Sequence, residues 1–252
     1  MLKKRLIPVL ILRNGQVVQS LRFTHTNVIH ARASIAVDFF NKWSADEIVV
    51  LDVTRENSNR QVFYDVVQTL SKQCFVPLTV GGWIDSAAEV RTLLERGADK
   101  VTINTQAYLR PELITECANI FGSQCIVVSI DARRDAGGRH EVCIDRGRKR
   151  TGTPAEAWAL QAQERGAGEI FLTSIDKDGS REGYDIELFN KVVDAVAIPI
   201  IGFGGVSTWQ HLVDGIVAGR VDAVSAANVF HYTEHSTRHA KEFMRKAGLD
   251  VR

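Results

Sequence analysis

Carboxylates and amides stand at the ends of several apolar runs in this sequence. Asp52 closes one run, Asn104 and Thr105 close another, and Asp131 closes a third. A carboxyl group in such a place can act as a general acid or base, and a neighbouring amide can orient a substrate. A later polar segment adds three more candidates for the same site, which are Asp178, Gly179 and Ser180.

Pairs of glycines close two other apolar runs. Gly81 and Gly82 follow one run, and Gly204 and Gly205 follow another. Glycine lets backbone N–H groups approach an anion closely, as a phosphate-binding turn requires. Two such turns predict a ligand with two phosphate groups. Asn228, at the end of the last run, is a further candidate contact.

The elements that must position these residues are eight short apolar runs, which alternate with helical patterns. Strands of this kind are typical of a parallel sheet covered by helices. Eight units in 252 residues, with no linker between them, predict an α/β fold: a single (βα)8 TIM barrel domain over residues 1–252. An open doubly wound sheet is the structural alternative. The runs cover residues 6–12, 48–52, 76–80, 101–104, 125–131, 170–174, 198–203 and 221–226.

The two halves of the chain resemble each other. Residues 76–83 (VPLTVGGW) align with residues 198–205 (IPIIGFGG), and residues 99–105 align with residues 222–228. The alignment predicts an internal two-fold half-barrel repeat. It also makes Trp83 the internal mate of Gly205.

Composition excludes several classes of protein. The chain has 31 basic and 30 acidic residues, a net charge of +1, which gives no support for a nucleic-acid or membrane partner. Four cysteines without CxxC spacing are typical of a reducing compartment, so we expect a cytoplasmic protein. No residue grouping has metal-ligand spacing, and we expect neither a metal nor a cofactor.

Residues 13–32 are predicted to be a mobile lid and residues 146–150 a solvated hairpin.

Long segments of the chain resemble one known family. Residues 97–105 (GADKVTINT), 121–134, 166–185 and 226–231 are similar to the cyclase subunit of imidazole glycerol phosphate synthase, and the similarity runs from Lys4 to the C-terminus. The resemblance implies a barrel that receives ammonia from a glutaminase and uses it to cleave a bis-phosphorylated substrate. It also implies a general acid and a general base, both aspartates, at the ends of strands one and five. Asp131 matches the strand-five aspartate.

Several ligand-facing positions depart from the family pattern. Ile11 stands where the family has its strand-one aspartate, and Gln19 replaces a loop-one lysine. Trp83 replaces a glycine of the first phosphate turn, and Phe203 replaces a small serine. An isoleucine cannot transfer a proton, so the cyclase activity, and with it the protein's status as an enzyme, is in doubt.

Four charged residues stand at the starts of strands. Charges at strand starts are usually solvated rim residues, but the resemblance implies that these form the family's ammonia gate at the glutaminase-binding face. The four are Arg5, Glu47, Lys100 and Glu169, and Asp99 and Gln124 flank them as expected docking residues.

Three functions therefore stay open. The first is a subunit that docks a glutaminase and channels ammonia, which resembles a subgroup associated with acetamidino modification of bacterial surface (O-antigen, lipopolysaccharide) sugars through a separate sugar amidotransferase. The second is an authentic cyclase subunit in histidine biosynthesis. The third is a non-catalytic partner that stabilises a glutaminase.

Overall fold

Eight parallel strands close into a barrel in the computed structural model, which describes residues 3–42, 44–54, 60–231 and 236–252. In chain order, the strands are β1 (Arg5–Arg13), β2 (Gln16–Leu21), β3 (His25–His30), β4 (Ile48–Asp52), β5 (Leu78–Gly81), β6 (Lys100–Ile103), β7 (Ile126–Arg134), β8 (His140–Ile144), β9 (Lys149–Pro154), β10 (Glu169–Ser174), β11 (Ile200–Phe203) and β12 (Ala223–Ala226). The barrel strands are β1, β4 to β7 and β10 to β12. Pairing of β1 with both β4 and β12, and of β7 with β10, completes the ring. The predicted (βα)8 barrel is confirmed.

Helices cover the outside of the barrel. They are α1 (Ala33–Lys42), α2 (Arg60–Gln73), α3 (Ala87–Glu95), α4 (Thr105–Leu109), α5 (Glu112–Phe121), α6 (Ala155–Glu164), α7 (Ile186–Ala195), α8 (Trp209–Val217) and α9 (Ser236–Lys246). Polar N-caps begin two of them, because Ser86 accepts a hydrogen bond from the amide of Glu89 and Asp185 accepts one from the amide of Leu188. Within the described part of the chain, the helices are too short or too polar to cross a bilayer.

The two antiparallel hairpins occupy equivalent places in the two halves. The β2–β3 hairpin follows β1, the first strand of one half, and the β8–β9 hairpin follows β7, the first strand of the other. Each hairpin turns through two non-glycine residues at positive φ, Arg22 with Phe23 and Asp145 with Arg146. Turns of this hand match the twist of paired strands.

The predicted boundaries need three corrections. Residues 13–32, predicted as a lid loop, mostly form the β2–β3 hairpin, where Val17 and Val18 are buried. The runs predicted to start at residues 76 and 198 begin as strands two residues later, after Pro77 and Pro199, which have no N–H for the ladder. The run predicted from residue 221 begins at Ala223.

The apolar core has two parts. The larger lies between the helices and the outer face of the barrel, and the smaller fills the barrel itself. Phe171 and Phe203 pack together inside the barrel with ring centroids 5.4 Å apart. Apolar side chains therefore pack this part of the interior, and the cavities that hold the candidate site open where the described strands end.

Candidate functional site

Two cavities open at the end of the barrel where the strands finish. The mouth cavity has a volume of about 540 Å³, and a smaller side cavity has a volume of about 290 Å³. Of the residues selected from the sequence, the mouth cavity is lined by Ile11, Asp52, Gly81, Gly82, Trp83, Asn104, Thr105 and Asp131. The side cavity is lined by Asp178, Gly179, Gly204, Gly205 and Asn228. Phe203 lies in both walls.

Asp131 is a buried acid that can exchange a proton near neutral pH. Its side chain is 8% exposed, and Asn104 Nδ2 donates to its Oδ2 at 2.9 Å. Burial raises the pKa of Asp131 to about 7, an effect that hydrogen bonds from Asn104 and Thr173 only partly oppose. A pKa in this range suits a general acid or base.

Ile11 faces the same cavity from β1. It is 5% exposed and belongs to the same apolar cluster as Phe171 and Phe203. Asp52 lines the same cavity from β4; its pKa is also raised by burial, and its Oδ1 accepts from the amide of Thr54 at 3.0 Å. Asp131 is therefore present without the symmetry-related acid that the family pattern places on strand one.

Trp83 has a left-handed backbone conformation, as its internal mate Gly205 does. Its φ is +59°, and the φ of its internal mate Gly205 is +91°. A Cβ at Gly205 would lie 2.1 Å from the carbonyl oxygen of Gly183, so that turn requires glycine. At Trp83 the turn accepts an indole, which lies in the cavity wall and is 40% exposed. A bulky residue at positive φ is rare and costs about 1–2 kcal/mol.

Arg146 is a site residue that the sequence reasoning missed. It lies at the tip of the β8–β9 hairpin, which was predicted to be solvated. Its guanidinium carbon lies 5.0 Å from the centroid of the Trp83 indole, and its Nη1 donates to the carbonyl oxygen of Thr54 at 3.2 Å. No sequence pattern signals this contact, because the turn conformation that aims Arg146 at the mouth is visible only in the structure.

The hairpin tips approach each other above the mouth cavity. A Cβ at Gly147, next to Arg146, would lie 3.2 Å from Phe23 at the tip of the β2–β3 hairpin. The amide of Asp145 donates to Thr105 Oγ1 at 3.0 Å, which ties the second tip to the start of α4. The hairpins therefore roof the cavity.

Asp178 binds the β2–β3 hairpin through hydrogen bonds. Its Oδ2 accepts from Ser20 Oγ at 2.7 Å and from the amide of Phe23 at 3.3 Å, and burial raises its pKa. Ser180, predicted for the same site, lies in the wall of neither cavity, and its Oγ accepts from the amide of Glu182 at 3.2 Å. Asp178 thus anchors the hairpin beside the side cavity.

The side cavity keeps a glycine turn. Gly204 and Gly205 have φ values of +109° and +91°, and the Oδ1 of Asn228 is buried without a partner among the described residues. This end of the mouth retains backbone geometry compatible with an anion. The equivalent turn in the other half is the one that carries Trp83.

The four strand-start charges form a closed ring across the opposite end of the barrel. Arg5 Nη1 pairs with Glu47 Oε2 at 2.9 Å, and Arg5 Nη2 pairs with Glu169 Oε1. Lys100 Nζ completes the ring, 3.1 Å from Glu47 Oε2 and 3.0 Å from Glu169 Oε2. Glu47 and Glu169 are buried, so each needs both cations. The predicted role of this ring as an ammonia gate stays a prediction.

The expected docking residues lie beside this ring, and both are exposed. Asp99 also has a structural contact, because its Oδ2 accepts from the amide of Leu78 at the start of β5, at 2.8 Å.

A polar side and an apolar side face each other in the barrel between the ring and Asp131. On the polar side, Thr79 Oγ1 donates to Glu47 Oε1 at 2.6 Å, and Ser129 Oγ accepts from Asn104 Nδ2 at 3.2 Å. Thr102 Oγ1 is buried there without a partner among the described residues. Phe171 and Phe203 fill the apolar side.

Across residues 3–42, 44–54, 60–231 and 236–252, no group of three or more His, Cys, Asp and Glu side chains is arranged to hold a metal ion. At the mouth, the described residues offer acid–base exchange at Asp131 and hydrogen bonding around it.

A comparison with known families agrees with this geometry. The model of the histidine biosynthesis protein family matches residues 5–236, nearly the whole barrel. Barrels of this family have synthase-type or isomerase-type functions. The chain therefore belongs to the histidine biosynthesis protein family.

Proposed function

We propose that this barrel docks a glutaminase on the face that holds the charged ring and conducts ammonia to the mouth, for an acceptor other than the family's bis-phosphate. Its resemblance to the acetamidino subgroup makes a bacterial surface sugar the proposed acceptor class, with a separate sugar amidotransferase as a further partner. The ring of Arg5, Glu47, Lys100 and Glu169 is the observation that carries the proposal.

The ring supports a gate because its charges are expensive to keep without a purpose. Two buried carboxylates and two cations lose most of their hydration at this place, and such pairs add little net stability over apolar packing. The ring also spans the end of the barrel axis opposite the mouth. Ammonia is small and uncharged at the moment of passage, so a brief opening between Lys100 and its partners would admit it.

The mouth supports a change of acceptor. The cyclase reaction of the family relies on two carboxyl groups, but of its described lining residues this cavity has only Asp131 in such a position, with Ile11 where the second would be. The indole of Trp83 lies at the turn that would bind the first phosphate. One change affects the reacting centre and the other a phosphate position, whereas the charged ring at the other end of the barrel is complete.

The first experiment supplies the bis-phosphorylated ribulosyl formimino substrate and ammonium salts to the purified barrel, without any glutaminase. We expect no formation of imidazole glycerol phosphate above the uncatalysed rate. Appreciable turnover would contradict the proposal and establish the cyclase.

The second experiment measures the coupling between glutamine hydrolysis and product amidation in the complete system. Lys100→Met opens the ring, and we expect hydrolysis to continue while the amidated product falls several-fold. Lys191→Met, which removes a lysine on α7 paired only with Glu187 in the described structure, is the matched control. Coupling that is unchanged in Lys100→Met would contradict a conduit through this barrel and favour the glutaminase-stabilising role.

The side cavity favours one competing function, the authentic cyclase. Its turn at Gly204 and Gly205 is open, and the internal repeat provides a second turn in the other half. The cyclase hypothesis requires both turns to accept phosphate at once, so a structure with sulfate bound near both Gly82 and Gly205 would support it.

A further inference from the structure

We propose that the mouth cavity binds an uncharged sugar ring, packed against the indole of Trp83 and hydrogen-bonded by Asp131 and its neighbours. This deepens the proposed function, since it places a binding site for the sugar in the mouth of this barrel, where the ammonia would emerge, and leaves the transfer itself to the separate amidotransferase. It rests on the proposed function for the identity of that ligand as the acceptor, but the binding itself is measured independently.

The charges of the cavity suit a neutral ligand. Its described lining residues include four cations, Arg13, Arg60, Arg146 and Lys149, and four carboxyl groups, Asp52, Asp85, Asp131 and Asp145. Arg60 is already paired with Asp85 at 2.9 Å and with Glu89. A bis-phosphate would bring several negative charges into a cavity with little surplus positive charge, and burying unpaired charge is costly.

The wall at Trp83 suits a flat, partly apolar ring. The indole occupies the first phosphate turn, and Arg146 holds it from the hairpin tip. An aromatic face packs well against the C–H face of a pyranose, which buries apolar area without demanding charge. The strained φ of +59° at Trp83 fits a side chain retained for contact with a ligand, since the neighbouring half has glycine at the same place.

The polar groups of the cavity suit hydroxyls. Asp131 and Asn104 form a hydrogen-bonded pair in its wall. Thr102 also lines the cavity, is 4% exposed, and has a buried Oγ1 without a partner among the described residues. A buried hydroxyl of this kind costs free energy until a ligand or water satisfies it, and a ligand hydroxyl can do so. Aromatic walls with a few convergent polar groups are the usual form of a small-molecule site.

Binding to the purified full-length barrel tests the proposal. Ligand-observed NMR is recorded with a panel of uncharged pyranosides that includes N-acetylglucosamine, with fructose 1,6-bisphosphate, and with adenosine. The variants are Trp83→Gly, Trp83→Phe and Asp131→Asn. Trp209→Phe is the matched control, because Trp209 stacks on Phe230 and lines neither cavity.

We expect at least one pyranoside to bind, with an affinity that falls about tenfold in Trp83→Gly, recovers partly in Trp83→Phe and stays unchanged in Trp209→Phe. Asp131→Asn should weaken the binding of the same pyranoside. The proposal is overturned if no pyranoside binds, if binding is indifferent to Trp83→Gly, or if the bis-phosphate or adenosine binds more tightly than every pyranoside. If no pyranoside binds but Lys100→Met uncouples glutamine hydrolysis from amidation, this inference is refuted and the proposed function stands. If a pyranoside binds but Lys100→Met leaves the coupling unchanged, the proposed function alone is refuted.

Discussion

The side-chain amide of Asn104 donates a hydrogen bond of 2.9 Å to Oδ2 of Asp131, which joins the end of β6 to β7 at the mouth of the barrel. This bond favours the ionised carboxylate, but burial outweighs it and the pKa of Asp131 rises to about 7. Near neutral pH, the carboxyl group of Asp131 is therefore close to half protonated.

The raised pKa of Asp131 predicts a specific pH dependence of stability. The folded protein binds this proton more tightly than the unfolded chain, so stability falls as pH rises from about 4 to about 7, by up to about 4 kcal/mol. In Asp131→Asn this contribution disappears. Urea unfolding of both proteins at about pH 5 and about pH 8 should show the variant gaining relative stability at the higher pH. Parallel behaviour of the two proteins would be inconsistent with a buried acid of raised pKa.

Asp185 should behave with the opposite sign. It caps α7, its Oδ2 lies 3.0 Å from His140 Nε2, and its Oδ1 lies 3.2 Å from Arg134. Burial alone would raise the pKa of Asp185, but the hydrogen bond and charge of His140, together with the other contacts, lower it. Its stabilising contribution is thus present above its unfolded pKa and is lost as pH falls. Asp185→Asn should cost about 2–3 kcal/mol near neutral pH and less in acid. A constant difference between the two proteins from pH about 5 to about 2 would refute this.

Removal of one cation from the charged ring should destabilise the barrel. Arg5→Met leaves Glu47 and Glu169 buried with Lys100 as their remaining partner in the ring, and we expect a loss of about 3 kcal/mol. Arg5→Lys, which keeps the charge but loses the fork that bridges both carboxylates, should cost less. Chemical denaturation gives both values. Equal stability of Arg5→Met and the parent protein would show that the ring carboxylates are solvated.

The backbone of Trp83 predicts an unusual order of two variants. Trp83→Gly and Trp83→Ala both lose the indole and its contact with Arg146, but only glycine relieves the strain at φ +59°. Trp83→Gly should therefore be more stable than Trp83→Ala by about 1 kcal/mol. At Arg91 within α3 the same pair of substitutions should give the reverse order, with alanine better by about 1 kcal/mol. Thermal unfolding of the four variants checks both statements, and the same order at both positions would be a contradiction.

Periodicity and repeat structure made the barrel predictable, because each strand is a short apolar run and each half repeats the other. The end of the barrel that carries the candidate site followed from the same reasoning, since βα loops share one face. Ser180 lies in the wall of neither cavity because its loop turns back on Glu182, through a local hydrogen bond that no sequence pattern indicates.

The contact between Arg146 and Trp83 could not be predicted from the sequence. It joins residues 63 positions apart through a hairpin turn in which Arg146 has a positive φ, a conformation that sequence rules assign to glycine, asparagine or aspartate. The anchoring of Phe23 by Asp178 is of the same kind. Such contacts depend on how far each hairpin leans over the mouth, which is set by tertiary packing.

The closed barrel also decides where this sheet can meet another chain. Closure leaves two open sheet edges among the described strands, at β3 and β9, each of which pairs on one side only. The edge at β9 is obstructed by Lys149, Arg150 and Pro154, which disfavour the addition of a strand. The edge at β3 carries Val28, 59% exposed, and has no proline or lysine. Aggregation through strand addition during concentration or refolding should therefore begin at β3. Val28→Lys should reduce it and raise the solubility of the protein.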